Sequence, residues 1–116
     1  MFRQWLKEHK LADVLIPVEE YHPFPTANER EQWEMLPDDL KEKMVAYGED
    51  FLEYDWPTLT AVRFMDYVRD GNRDRYERLH FARREALAKL VIAECIEGKR
   101  RFLDDIINGI WALCEE

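Results

Sequence analysis

Apolar residues recur at helical spacing through most of this chain, and isolated prolines and glycines divide the pattern into segments. After Pro37 the apolar positions are mostly three or four residues apart, which places them on one face of a helix. These positions are Leu40, Met44, Tyr47, Phe51 and Leu52. No segment combines sustained alternation of apolar and polar residues with turn signals, as a half-buried strand would. The spacing therefore predicts an all-α fold.

The proline and glycine breaks predict where the elements begin and end. We expect a short helix from Phe2 to Lys10, an N-terminal arm over 11–25, and five helices over about 27–36, 38–53, 58–70, 73–97 and 99–115. Proline lacks an amide donor and disfavours helix in the residue before it, so the three prolines of the arm should keep it extended. Its apolar residues predict an arm that is packed on something and is not a free linker.

Local residue types predict the individual helix ends. Thr26 and Glu29 have the spacing of a capping box, and Asp38 or Asp39 can cap the next helix. Pro57 suits the first position of a helix. Gly71 and Gly98 are expected to end helices in the left-handed conformation.

Composition excludes several classes of protein. A chain of 116 residues fits one domain, and a content of 47% hydrophobic and 13% aromatic residues argues against disorder. No apolar run is long enough to span a membrane, and the N-terminus is too charged for a signal peptide. Cys95 and Cys114 are expected to be reduced and buried in a cytoplasmic protein. The formal net charge of -8 argues against a general nucleic-acid binder.

The charge is divided unevenly along the chain. Residues 1–58 hold 6 Lys and Arg against 14 Asp and Glu, whereas residues 59–116 hold 11 of each. The second half is rich in arginine, which leaves an anionic ligand conceivable. Pairing at i,i+4 along solvated helix faces is the favoured interpretation. The predicted pairs are Arg73–Glu77, Asp74–Arg78, Arg100–Asp104 and Arg101–Asp105.

The last predicted helix is apolar almost all the way round, so both of its sides should be covered. It lacks a following Gly, Asn or Pro, and from this we expect the helical array to continue in a longer protein. Within it Gly109 suggests close approach of another helix or a ligand. Asn108, Trp111 and Glu115 share one face, which could bind substrate by stacking a sugar on Trp111 and donating hydrogen bonds from Asn108. The alternative is that Trp111 belongs to the core and Asn108 is a satisfied buried amide.

The sequence offers no catalytic or metal-binding constellation. His9, His22 and His80 are far apart, and neither HExxH nor CxxC occurs. The four glycines are isolated, so no phosphate-binding loop is predicted. Cys95 and His80 are about four helical turns apart, too far for a nucleophile pair. We predict no catalytic residues, no metal and no cofactor in this chain.

Several of these segments resemble the N-terminal helical region of heparinase II/III-like proteins, a family of polysaccharide lyases and their relatives. The resemblance runs from about Ile16 to Glu116, through YHPFP, EREQWEMLP and the stretch from Asp70 onward. It is most specific in GNRDRYE and in AECIEGKRRFLDDIINGIWALCEE. The resemblance implies antiparallel helical hairpins that form the opening part of an incomplete α/α toroid, with a β-sandwich domain further along the parent protein.

The resemblance also implies an activity for the parent protein. Such lyases cleave uronic-acid-containing polysaccharides by β-elimination, commonly with Asn, His and Tyr residues that lie beyond the stretch matched here. None of those roles is therefore carried onto Asn72, Tyr76 or His80. The partners that the resemblance implies are an anionic polysaccharide or oligosaccharide, bound by the parent protein, and the remainder of the toroid. The exposed apolar helix faces of such a fragment would also allow a second copy to bind, whereas composition predicts neither a nucleic-acid nor a membrane partner.

Three functions follow from this reading of the sequence. The first is a non-catalytic helical scaffold within a heparinase II/III-like protein. The second is a self-sufficient helical domain that binds another protein. The third is a small enzyme that uses His80 and nearby arginines.

Overall fold

The computed structural model describes Trp5 and residues 15–116, and the regular secondary structure of this part of the chain is entirely helical. A single 3-10 turn at Val18–Glu20 precedes five α-helices. The helices are α1 (Arg30–Glu34), α2 (Asp38–Glu49), α3 (Ala61–Arg69), α4 (Asp74–Glu97) and α5 (Leu103–Cys114). No strand occurs within these residues, so the all-α prediction is confirmed for them. The predicted helix from Phe2 to Lys10 and the first part of the arm lie outside the described residues, apart from Trp5.

Helix α4 is the centre of the fold, because α2 and α5 both pack on it. Its buried face carries Ala86, Leu90 and Ala93, which have no exposed surface. The core cluster joins Leu90 and Ala93 to Phe102 and Ile106, at the start of α5. Residues of α2 and of the α2–α3 connection complete it from the other side. They are Val45, Phe51, Leu52 and Trp56.

Two glycines allow the closest approaches within this core. A Cβ atom on Gly48 would overlap the Cβ atom of Ala93, so the absence of a side chain lets α2 lie directly against α4. A Cβ atom on Gly109 would lie 2.7 Å from Cζ2 of Trp56. The close approach expected at Gly109 is thus confirmed, and the group that makes it is a tryptophan ring from the α2–α3 connection. Trp56 Nε1 is buried there and has no hydrogen-bond partner among the described residues.

The C-terminal end of α4 is fixed by a glycine and by an arginine from α1. Gly98 has φ 68°, the left-handed conformation predicted for a helix end. Arg30 donates hydrogen bonds to two carbonyls of the last turn, those of Cys95 and Ile96, the latter at 2.8 Å. These carbonyls have no partner within a helix, so the guanidinium satisfies acceptors that would otherwise need water.

Several predicted boundaries shift by a few residues. The Thr26 amide donates to Glu29 Oε2 at 2.5 Å, which is one half of the predicted capping box, and α1 begins only at Arg30. Asp38 is the first residue of α2 rather than its cap. Pro57 was expected to begin a helix, but α3 begins at Ala61. The Pro57 carbonyl instead accepts a hydrogen bond of 2.6 Å from Arg83 Nε, which holds this proline in the connection.

The described part of the arm does not pack as predicted. Leu15, Ile16, Val18 and Tyr21 are all more than half exposed, so the expectation of a covered arm is wrong for these residues. The prediction that Cys114 is buried is also wrong, since this residue is exposed on α5, whereas Cys95 is partly buried. Both thiols are free.

Only one of the four predicted i,i+4 ion pairs forms within the described residues. Arg73 Nη2 lies 2.7 Å from Glu77 Oε1. Arg101, which was expected to pair with an aspartate four residues later, binds Glu97 at 2.6 Å and Glu49. Carboxylates in the last turn of α4 and at the end of α2 therefore bind this guanidinium in place of Asp105. The ion pair with Glu49 connects α2 to the α4–α5 connection.

Candidate functional site

The outward side of α5 is an uncovered apolar surface. Ile106, Gly109 and Ala112 are buried against the core, as one helix face should be. The opposite face, which we call the α5 outer face, comprises Leu103, Ile107, Ile110 and Trp111. Their exposed fractions are 37%, 59%, 51% and 70%. Within the described residues only the inner side of this helix is covered, because no other element packs on its outer side.

The three predicted substrate-binding residues lie on one flank of this face. Trp111 Nε1 donates a hydrogen bond of 2.9 Å to Glu115 Oε1, so the structure brings these two side chains together. Asn108 is exposed, and its side chain makes no hydrogen bond within the described residues. Neither Trp111 nor Asn108 is buried, so their alternative interpretation as a core ring and a buried amide is wrong. Sugar binding by Asn108, Trp111 and Glu115 stays a prediction.

A groove with apolar walls runs along the neighbouring surface of α4. Its volume is about 630 Å³. The floor consists of residues at helical spacing on α4, and Arg84 is the charged residue among them. They are Arg84, Leu87, Ala88, Val91, Ile92 and Cys95. Phe24, Pro25 and Trp33 form one wall, and Leu113 of α5 closes the other side. We call this feature the apolar groove.

The apolar groove and the α5 outer face belong to one surface. Leu113 borders the groove, and Ile110 lies three residues earlier on the same side of α5. Leu87, at the edge of the groove floor, also lies against Gly109, where a Cβ atom would be 3.1 Å from Leu87 Cδ1. The contact between α4 and α5 therefore forms the bottom of a valley with apolar side chains on both slopes.

A polar cluster closes one end of this valley. Arg83 is 6% exposed, and its Nη1 donates a hydrogen bond of 2.7 Å to the carbonyl of Ala112, in the last turn of α5. Glu116 receives Arg84 Nη2 at 2.7 Å and Arg83 Nη1 at 3.4 Å. His80 Nδ1 lies 3.1 Å from the same carboxylate. The cluster fixes the end of α5 to α4.

Two groups along this surface, Glu116 and Cys95, have shifted pKa values. Burial raises the pKa of Glu116, but hydrogen bonds from Arg84 and Arg83 and the charges of Arg84 and His80 outweigh it, so the pKa falls below its ordinary value. Burial raises the pKa of the Cys95 thiol in the groove floor, with a smaller contribution in the same direction from Glu94. A raised pKa lowers the fraction of thiolate, which disfavours Cys95 as a nucleophile.

Sequence reasoning missed Arg83, and the signal was available. Arg83 lies three residues before Ala86 and seven before Leu90, on the buried face of α4. A cation at an apolar position indicates a buried partner, because an unpaired buried charge is costly. Pro57 and Ala112 supply that partner through their carbonyls. Trp33 and Phe24 in the groove wall had no such signal, because their position depends on how α1 folds back onto α4.

Two negative findings concern the described residues only. Among Trp5 and residues 15–116, no group of three or more His, Cys, Asp or Glu side chains is placed to hold a metal ion. Within the same residues, none of the helices has the length and apolar character needed to cross a bilayer.

Comparison with known proteins gives this chain no family. No protein-family model matches it. No curated protein shows significant similarity to it either.

Proposed function

We propose that this chain is a non-catalytic helical scaffold whose α5 outer face and apolar groove are covered by further α-helical structure. The observation that carries the proposal is the exposure of Trp111, at 70%, together with Ile107, at 59%. Burying a large apolar side chain contributes about 1.5–3 kcal/mol, so covering this face would contribute several kcal/mol. Contiguous apolar surface of this kind is characteristic of an interface.

The finer proposal is that the covering structure is the continuation of an α/α toroid in a heparinase II/III-like protein. The sequence resemblance supports it. Two contacts between α4 and α5 are also compatible with it, since Arg83 meets Ala112 while Leu87 meets Gly109. The residue number rises along one helix as it falls along the other, as in an antiparallel hairpin. The parent would act on an anionic polysaccharide, with Asn108, Trp111 and Glu115 near the start of its substrate groove.

Dye binding tests the scaffold proposal. We expect wild-type protein to enhance the fluorescence of anilinonaphthalene sulfonate, and Ile107→Gln/Ile110→Gln to lose most of that signal while retaining its helical circular dichroism. The matched control is Val62→Gln/Val68→Gln, which removes two exposed apolar side chains from α3, 57% and 92% exposed. A compact wild-type monomer that binds no dye would overturn the proposal.

Absence of catalysis is tested separately by the ultraviolet absorbance of unsaturated uronates. Heparin, chondroitin sulfate and alginate are the substrates to offer. We expect no product from this chain. A reproducible signal that His80→Ala abolishes would replace the scaffold by the small-enzyme alternative.

The second candidate function is a helical domain that binds a separate protein. The apolar groove favours it, because a preformed channel of about 630 Å³ with a helical floor suits an amphipathic helix from another chain. Both candidates use the same valley between α4 and α5. They differ in whether the covering helix belongs to the same polypeptide or to another one.

A further inference from the structure

The α5 outer face has carboxylates along one border and no basic residue anywhere on the helix. The sequence of α5, LDDIINGIWALC, contains neither Lys nor Arg. At 100° per residue, Asp104, Asn108 and Glu115 fall within about 40° of one another, next to Trp111 and away from the core. All three are exposed. We call this flank the acidic ridge.

The opposite border of the same face is apolar. There Leu113 leads into the apolar groove, whose floor is formed by Leu87, Ala88 and Val91 of α4. On its groove side, an element lying in the valley would therefore meet apolar side chains and Arg84, whose charge is already paired with Glu116. On its other side it would meet carboxylates. The hydrogen bond from Trp111 holds Glu115 at this border without neutralising its charge.

We propose that the element that covers the valley is an amphipathic α-helix with an apolar stripe and with Lys or Arg along the flank that faces the acidic ridge. This inference rests on the proposed function and adds the chemistry of the partner. Charge complementarity carries it, since opposite charges at a rim favour the correct register and orientation of a docked helix. The apolar stripe supplies the apolar area that is buried on binding, and the basic flank determines the orientation of the bound helix.

The same charges disfavour two other occupants. A second copy of this chain that paired α5 with α5 in an antiparallel two-fold arrangement would bring two acidic ridges together, and like charges in contact are unfavourable. An anionic lipid surface would meet the ridge and a chain of net charge -8.

Three synthetic helical peptides test the inference on the whole chain. Each has the same leucine and alanine stripe, and the flank carries lysine, glutamine or glutamate. We expect fluorescence anisotropy to show the lysine peptide binding about tenfold more tightly than the glutamate peptide at low ionic strength, with the difference shrinking as salt is added.

Two double variants separate the acidic ridge from the general acidity of the protein. Asp104→Asn/Glu115→Gln removes two ridge charges, and Gln at 115 can still accept the Trp111 hydrogen bond. The matched control Glu42→Gln/Asp50→Asn removes two exposed charges from α2 and its end, which are not part of the valley. We expect the ridge variant to lose most of the preference for lysine and the control to keep it.

The outcomes distinguish this inference from the function on which it rests. Equal binding of the lysine and glutamate peptides, an equal effect of both double variants, or binding of none of the peptides would overturn the inference. A dimer in solution that Ile107→Gln/Ile110→Gln dissociates would also overturn it, because the occupant would then be a second copy. If instead that variant binds dye and every peptide as wild type does, the proposed function itself fails.

Discussion

Replacing Gly48 by alanine tests the packing on which the whole fold depends. Gly48 is buried in α2, where a Cβ atom would come closer to Ala93 Cβ than 3.0 Å, a separation that real Cβ atoms essentially never show. It would also lie 3.3 Å from the Lys89 carbonyl oxygen and 3.3 Å from Phe102 Cε1. The new methyl group is therefore confined on three sides, and α2 must move away from α4.

Two opposing effects determine how much Gly48→Ala changes the free energy of unfolding. Alanine is favoured over glycine within a helix by about 1 kcal/mol. Overpacking a well-packed core costs about 1–3 kcal/mol, and here the obstacle is a Cβ atom and a backbone carbonyl, which cannot rotate away. The difference lies between about 0 and 2 kcal/mol, and because these obstacles cannot rotate away we expect Gly48→Ala to lower the free energy of unfolding by an amount near the upper limit, about 2 kcal/mol.

Urea denaturation measures this effect when unfolding is followed by the far-ultraviolet circular dichroism of the helices. Ala93→Gly in the Gly48→Ala background should recover stability relative to the sum of the single changes, with a coupling of about 1 kcal/mol or more. Ala46→Gly, at an exposed position of α2, calibrates helix propensity alone. A Gly48→Ala protein more stable than wild type, or an additive cycle with Ala93→Gly, would refute the close contact of α2 with α4.

Two further predictions concern the polar contacts that tie the helices together. Arg30→Ala removes the donors to the Cys95 and Ile96 carbonyls and should lower the free energy of unfolding, measured in urea, by about 2 kcal/mol. The control Arg63→Ala, on the exposed side of α3, should change that free energy by less than about 0.5 kcal/mol. Equal effects of the two variants would contradict the role of Arg30 at the end of α4. Because the pKa of Glu116 is lowered in the folded protein, its ionised form adds stability above its ordinary pKa of 4.5, and this contribution is lost as the pH falls through the lower folded value. Thermal melts of wild type and Glu116→Gln should therefore differ most at neutral pH and converge in acid; a constant difference would refute the link.

Local sequence patterns predicted the helices but not where each one starts. Their apolar spacing is a property of neighbouring residues, so α2, α4 and α5 could be assigned without knowing their partners. The start of α3 could not, because Pro57 favours the first position of a helix while its carbonyl is held by Arg83, 26 residues away. A long-range hydrogen bond from a buried guanidinium thus overrides the local preference.

In the candidate site, too, the sequence predicted local features but not the contacts between distant segments. Asn108, Trp111 and Glu115 could be placed on one flank of α5 from their spacing, and the bond between Trp111 and Glu115 agrees with it. The sequence could not show that this flank borders a larger apolar surface. That surface includes the groove wall formed by Trp33, which lies on the same helix as Arg30, the residue that binds the end of α4.

The sequence by itself determined that this chain is helical, that Gly98 ends its longest helix and that Gly109 needs room. Each of these follows from backbone preference or from residue spacing, which act within a few positions. The tertiary structure alone decided that Trp56 fills the room at Gly109, that Arg83 is buried, and that one face of α5 is left uncovered. Those outcomes depend on which distant segments meet, and an apolar pattern specifies that a face should be covered without specifying what covers it.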